Sequence, residues 1–157
     1  AVINRELAAL GFRAELGVES QLSQRAREEG KRVTGLETIS QQLGIFESLD
    51  AHTQARMLRE TLEELDTLDE ATSRTITAWR HADIAALRAE LADPFEDQPA
   101  LYERLVVQRN ESWMPAIMSM LETPETEFVV VGALHVVGRD SVVALLRARG
   151  LVPEALW

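Results

Sequence analysis

His135 is the residue of this sequence best placed to do chemistry. It closes the motif Gly132-Ala133-Leu134-His135, which follows directly on the apolar run Glu127–Gly132. Imidazole changes its charge near neutral pH and binds divalent cations, so a histidine at the end of a strand can act as a base or as a metal ligand. The alternative is that His135 caps a turn or forms a hydrogen bond with a neighbour.

A carboxylate and a cation–amide pair are further candidates. Glu37 ends the stretch 31–37, where it is either a site carboxylate or a negative charge favoured by the dipole at the start of the next helix. Arg109 and Asn110 follow apolar residues on an amphipathic helix. The pair is either part of a solvated face or a clamp in which the guanidinium holds an anion and the amide holds a carbonyl.

Other residue types exclude several common enzyme classes. The sequence has no cysteine, which excludes disulfides, thiol nucleophiles and thiolate metal sites. His52 and His81 stand in charged helical surroundings and at no metal-ligand spacing from another histidine, so we interpret both as surface residues. No G-x-S-x-G, His-Glu-x-x-His, Walker or G-x-G-x-x-G pattern occurs, which removes the usual serine hydrolase, zincin and nucleotide-binding predictions.

Length and composition predict one folded domain over residues 1–157. A chain of 157 residues with 46% hydrophobic and 27% charged residues is large enough to build its own core. A formal net charge of −10 argues against a nucleic-acid partner. No apolar run is long enough to cross a membrane. Because the sequence opens on Ala1, we expect a processed or truncated product, which leaves a periplasmic or secreted location open.

The elements that must position these residues are mostly helical. Pro115 should kink or divide the helix that carries Arg109 and Asn110. Helices are predicted over 18–29, from a Thr38 cap through Phe46, from an Asp50 cap through Leu68, over 72–80, 83–91 and 101–121, and from an Asp140 or Ser141 cap to Gly150.

Three strands are predicted between the helices, over 31–37, over 127–132 and from Leu151. The second is a continuous β-branched run, which is typical of a parallel strand buried on both faces. The predicted fold is therefore α/β (or α+β), strongly helical, with a small and mostly parallel central sheet. Ligands collect at the carboxyl ends of parallel strands, where this fold would place Glu37 and His135.

These motifs occur together in the order found in one protein family. The sequence contains Gly35-Leu36-Glu37-Thr38 with Gln41, then Gln54, Trp79 with Asp83, Arg109-Asn110, and Val131-Gly132-Ala133-Leu134-His135 with Gly138 and Gly150. Together they resemble the TraB/PrgY/GumN family over roughly residues 11–157. Ala82, Val136 and Ser141 depart from the residues usual there. The family pattern has two G-x-x-H motifs, and the chain carries the second, so it resembles the C-terminal portion of an incomplete family domain.

The resemblance implies a metal-dependent hydrolase similar to the Tiki-like peptidases. Glu37 and His135 would be metal ligands or water-activating groups, with manganese, cobalt or zinc as the metal. Two protein ligands are fewer than the three of most catalytic zinc sites. The chain by itself is therefore expected to be inactive or to form a half-site.

The resemblance also implies roles for residues around that pair. Arg109 and Asn110 would orient the substrate or an oxyanion, and Gln41 would contact the substrate. The glycines of the motifs would shape the turns; they are Gly35, Gly132 and Gly138.

Other functions fit the same residues. A metal-free esterase would use His135 as its base and Arg109 as an anion clamp. Resemblance to pheromone-shutdown and haem-binding members implies instead a non-catalytic module that sequesters a peptide or haem. The third alternative is a helical interaction domain that pairs through the amphipathic helix after Asp50. We also expect a homodimer, because an incomplete domain would leave a sheet edge to be covered.

Overall fold

The computed structural model describes residues 2–156, and this part of the chain is helical. The α-helices are α1 (Val2–Ala9), α2 (Val18–Glu28), α3 (Ile39–Glu47), α4 (Ala51–Glu63), α5 (Leu68–Arg80), α6 (Ile84–Leu91), α7 (Pro99–Tyr102), α8 (Gln108–Met120) and α9 (Val142–Ala148). Short 3-10 turns lie over Ala14–Leu16, Glu64–Thr67, Asp93–Phe95 and Ala133–His135, and one π-helical turn lies over Glu103–Val107. The predicted helices are confirmed, with ends shifted by a few residues.

The predicted α/β fold with a parallel central sheet is wrong, because residues 2–156 contain no strand. The segments 31–37, 127–132 and 151–152 are irregular. The apolar run is exposed rather than buried, with 77% of Phe128 accessible to solvent. A β-branched run has the side chains of a strand, but a strand also needs a neighbouring backbone to pair with. No backbone hydrogen bond in the described chain reaches the amides of residues 128–132.

The chain divides into two compact units, one ending at Glu70 and the other beginning at Ala71. The first unit contains α1 to α4. Within its described residues, Leu49 is the one apolar side chain that is buried. Gln54, on α4, donates hydrogen bonds to the carbonyls of Phe46 (3.0 Å) and Leu49 (2.9 Å) and so fixes the connection from α3.

Side-chain caps set where the helices of the first unit begin. Asp50 accepts a hydrogen bond from the Thr53 amide at 2.9 Å, as its predicted role as the cap of α4 requires. Thr38 caps α3 through a capping box shared with Gln41. Each such cap satisfies an amide that the helix itself leaves without a partner.

The second unit has an apolar core on which α8 packs. Trp113, Met114 and Ile117 of α8 are buried, and Val137 packs with Ala78 and Leu87 in a separate cluster. Pro115 does not break the helix, which runs through it from Gln108 to Met120. Pro115 and Glu111 are both exposed, so water can bind the Glu111 carbonyl that proline leaves without a donor.

Two terminal signals of the second unit are confirmed. Ser141 is the cap of α9, since its Oγ accepts a hydrogen bond from the Ala144 amide at 3.1 Å. Gly150 follows α9 with a φ of +83°, a conformation that glycine adopts without strain.

No helix in residues 2–156 is long and apolar enough to cross a membrane.

Ala82 has a φ of +52°, the one positive φ among the described residues other than glycine. It joins α5 to α6, at the position where the family that the sequence resembles usually has glycine. Alanine in this conformation carries steric strain between Cβ and the carbonyl oxygen.

Replacing Ala82 by glycine should stabilise the protein. Relief of the strain outweighs the added freedom of the unfolded chain, and we expect the free energy of unfolding to rise by about 0.5–1 kcal/mol. Urea denaturation measures the difference. The same change at Ala89, an exposed residue inside α6, should lower the free energy of unfolding by about 0.5–1 kcal/mol. A free energy of unfolding lower in Ala82→Gly than in the native chain would show that Ala82 is not strained.

Candidate functional site

The site lies in the second unit, where the G-x-x-H turn contacts the start of α8. His135 ends the 3-10 turn Ala133–His135, and its amide donates to the Gly132 carbonyl at 2.9 Å. Only 7% of its surface is exposed. His135 is therefore a buried residue of the core.

A π-helical turn precedes the Arg109-Asn110 pair. Residues Glu103–Val107 form the wide turn, and α8 begins directly after it. A π-turn shifts the helical register locally, which is why such turns are frequent at functional sites. Here Asn110 is fully buried and Arg109 half-buried, so the two neighbours reach different depths of the unit.

Asn110 connects the His135 ring to the end of the following loop. Its Nδ2 donates to the Asp140 carbonyl at 2.8 Å, and its Oδ1 lies 2.7 Å from His135 Nδ1. Because Nδ2 faces a carbonyl, Oδ1 is the acceptor toward the ring, and His135 Nδ1 must carry the proton. Asn110 thereby selects the tautomer of His135.

The other ring nitrogen faces a cation. Arg109 Nη1 lies 3.2 Å from His135 Nε2 and also donates to the Leu105 carbonyl at 3.2 Å. A guanidinium has donors and no acceptor, so Nε2 must be the lone-pair nitrogen. The ring is therefore neutral, with its proton on Nδ1 and its basic electron pair on Nε2.

Trp113 supports both groups. Its ring centroid lies 4.6 Å from that of His135, and the Arg109 guanidinium lies 5.1 Å from the centroid of the indole ring. Trp113 is 3% exposed, so the guanidinium rests on a dry aromatic surface where a cation–π contact is strong. The sequence motifs did not single out this tryptophan. The signal that could have marked it is its position four residues after Arg109, on the same face of the helix.

Gly138 lies in the loop between His135 and α9, close to the side chain of Tyr102. It has a φ of +87°, and a Cβ there would lie 3.9 Å from the Tyr102 hydroxyl. Burial and then the nearby Asp140 carboxylate raise the pKa of Tyr102 above its ordinary value. Gly132, by contrast, has a φ of −59°, a conformation open to any residue.

The carboxylate candidate Glu37 belongs to the first unit. It is half-buried in the turn before α3. A Cβ on Gly35 would come within 2.8 Å of the Glu37 carbonyl, so that turn requires glycine. Gln41 Oε1 accepts from the Thr38 amide at 2.7 Å, which engages it in the capping box. The site-residue prediction thus divides between the units: Arg109, Asn110 and His135 form one network, and Glu37 and Gln41 lie outside the second unit.

The contacts of His135 do not fit a divalent cation. Nδ1 is protonated toward Asn110, and Nε2, the nitrogen with the lone pair, faces the positive charge of Arg109. A metal at Nε2 would have to displace that guanidinium. Within residues 2–156, no group of three histidine, aspartate or glutamate side chains is arranged to hold a metal ion.

The chain belongs to the TraB/PrgY/gumN family, which it matches over residues 1–155, and the predicted resemblance is confirmed. It is 31% identical over 138 residues to the uncharacterized protein YbaP of Escherichia coli strain K12, a match that covers 88% of this chain and 50% of YbaP. The match to YbaP of Shigella flexneri has the same identity and coverage. The chain thus spans about half the length of the curated relatives it matches. No solved structure matches it.

Removing the Asn110 side chain should destabilise the second unit. Asn110→Ala leaves the His135 Nδ1–H and the Asp140 carbonyl without their partner in a buried site, and we expect a loss of about 2–4 kcal/mol in unfolding free energy. Urea denaturation followed by tryptophan fluorescence measures it. Asn4→Ala, at an exposed position of α1, should change stability by less than about 0.5 kcal/mol. If Asn110→Ala also lost less than about 0.5 kcal/mol in unfolding free energy, the two hydrogen bonds of Asn110 would not hold the unit together.

Tyr102 should ionise at a higher pH than a free tyrosine. It is the only tyrosine of the sequence, so the ultraviolet absorbance of tyrosinate reports it alone. We expect a midpoint above 10.0, and native stability should fall as the pH rises past that value, because the folded state disfavours the charged form. Asp140→Asn should lower the midpoint, whereas Asp66→Asn, in the first unit, should not. An unchanged midpoint in Asp140→Asn would refute the role of that carboxylate.

Proposed function

We propose that this protein is a hydrolase of the TraB/PrgY/gumN family that cleaves an acyl bond, a peptide or an ester, with His135 as its general base. One observation carries the proposal: a buried neutral imidazole has its proton held on Nδ1 by Asn110 and its lone pair on Nε2. A general base needs this defined protonation state, and an orienting group on the opposite nitrogen is the arrangement seen in hydrolytic sites.

The chemistry follows from the two ring nitrogens. Nε2 accepts a proton from water while the water oxygen bonds to the carbonyl carbon of the substrate. Asn110 Oδ1 continues to accept from Nδ1–H and so stabilises the imidazolium that forms. The proton then passes from Nε2 to the leaving nitrogen or oxygen as the acyl bond breaks, which returns His135 to its neutral form.

Arg109 supplies the positive charge that such a reaction needs. The carbonyl oxygen becomes an oxyanion in the tetrahedral intermediate, and a fixed cation beside it lowers the barrier. The guanidinium lies within hydrogen-bond distance of Nε2, so it is adjacent to the point where the attacking water must be. Trp113 holds it there without a competing charge of its own.

The metal implied by the family resemblance has no step in this proposal. The guanidinium at Nε2 is the reason, since it takes the position where a metal would bind the imidazole.

Exchange of His135 tests the proposal. The full chain is assayed against nitrophenyl esters and a peptide library, with and without added manganese, cobalt or zinc. His135→Gln should reduce turnover at least about 100-fold, the usual contribution of a general base. His81→Gln is the matched control, because His81 Nδ1 also contacts a protein oxygen, the Thr77 carbonyl at 2.8 Å, on an exposed helix end.

Two outcomes would contradict the proposal. Turnover that persists in His135→Gln would remove His135 as the base. Turnover that appears only with added metal would favour the metal-dependent hydrolase implied by the resemblance over general-base catalysis by His135 alone.

A further inference from the structure

The apolar segment 127–132 of the second unit is uncovered in both its side chains and its backbone. Phe128, Val129 and Val130 are exposed by 77%, 40% and 37%. No backbone hydrogen bond in residues 2–156 reaches the amides of residues 128–132. A β-branched run with unpaired backbone groups is a template on which a segment of another chain can pair.

The segment is complementary to a second copy of itself. When two copies run antiparallel about Val130, the pairs across the ribbon are Phe128 with Gly132, Val129 with Val131, and Val130 with Val130. Pairs of β-branched side chains stabilise such a ribbon, and an aromatic ring covers the bare backbone of a glycine opposite it. Every residue from 128 to 132 thus meets a suitable partner in the same segment.

The space over Gly132 is open to an aromatic ring. Gly132 is exposed, and a Cβ built on it would have His135 Cδ2, at 3.9 Å, as its nearest neighbour outside the adjacent residues. The partner's Phe128 can therefore lie against Gly132 without displacing a side chain of the unit. Because the G-x-x-H turn begins at Gly132, this contact adjoins the candidate site.

Charge determines the direction of the pairing. Glu122, Glu125 and Glu127 precede the valines of the segment, and all three are exposed. A parallel pairing in register would bring each glutamate opposite its own copy, and like charges opposite each other destabilise a ribbon. The antiparallel pairing puts Glu127 opposite Ala133 instead and carries the glutamates of the two copies to opposite ends.

We infer that two copies of this chain associate through residues 127–132, which pair as an antiparallel ribbon centred on Val130. The ribbon forms between the chains, and each chain by itself keeps its helical fold. Segments this short bury less than the roughly 1,200–2,000 Å² of a stable interface, so the dimer is weak and forms only as the concentration rises. The inference does not depend on the proposed function.

Sedimentation equilibrium of the full chain tests the association. The mass should rise from that of one chain toward that of two between about 10 μM and about 1 mM, the range in which small interfaces dissociate. Val130→Glu puts two like charges opposite each other at the centre of the ribbon and should raise the dissociation constant of the dimer at least about tenfold. Val152→Glu is the matched control, because Val152 is an exposed valine in the irregular segment after α9 and acquires the same charge. It should dimerise like the native chain.

Cysteine cross-linking tests the register, since the native sequence has no cysteine. In Val130→Cys the two thiols face each other across the ribbon, and oxidised glutathione should join them in a disulfide. In Phe128→Cys they lie about 13 Å apart along the ribbon, beyond the roughly 7 Å that a disulfide spans between Cα atoms. We expect Val130→Cys to cross-link at least about tenfold faster. Both positions are exposed, so circular dichroism of each variant should match that of the native chain.

Three results would overturn the inference. A chain that stays monomeric up to about 1 mM would leave the segment to another partner, such as the part of YbaP that lies outside the match to this chain. A dimer that Val130→Glu does not weaken would have its interface elsewhere. Equal cross-linking of Val130→Cys and Phe128→Cys would exclude the antiparallel register.

Discussion

The amide of Asn110 is the contact on which the polar core of the second unit depends. One side chain accepts from the His135 ring at 2.7 Å and donates to the Asp140 carbonyl at 2.8 Å, so it fixes both ends of the loop that leads to α9. An amide is well suited to this task, since it offers one donor and one acceptor side and carries no charge into a buried site. Asn110 itself is fully buried, which makes either bond costly to lose.

The chemistry of the site follows from that contact. With the proton held on Nδ1, the lone pair of His135 is on Nε2, where Arg109 meets it over the face of Trp113. A neutral base, a cation and a dry aromatic support are the parts of the proposed site. Membership of the TraB/PrgY/gumN family gives the setting, and the relatives that match, named only as uncharacterized, give no activity to transfer.

Local signals in the sequence predicted more of this protein than long-range ones did. The caps Thr38, Asp50 and Ser141 were correct because a cap depends on residues within one turn of the helix. The strand over 127–132 was wrong because pairing depends on a partner that the residue pattern does not contain. Motif order singled out Arg109, Asn110 and His135 but could not show that they bond to one another. That arrangement depends on how the loop to α9 packs against α8, which is a tertiary feature.

The protonation of the His135 ring is the most direct test of the central claim. Long-range proton–nitrogen NMR at neutral pH distinguishes protonated from unprotonated ring nitrogens, and comparison with His135→Gln separates this ring from those of His52 and His81. The contacts of the ring with Asn110 and Arg109 predict a proton on Nδ1 and none on Nε2. A proton on Nε2, whether in the other neutral tautomer or in the imidazolium, would contradict the hydrogen bond from Arg109 and with it the assignment of Nε2 as the base.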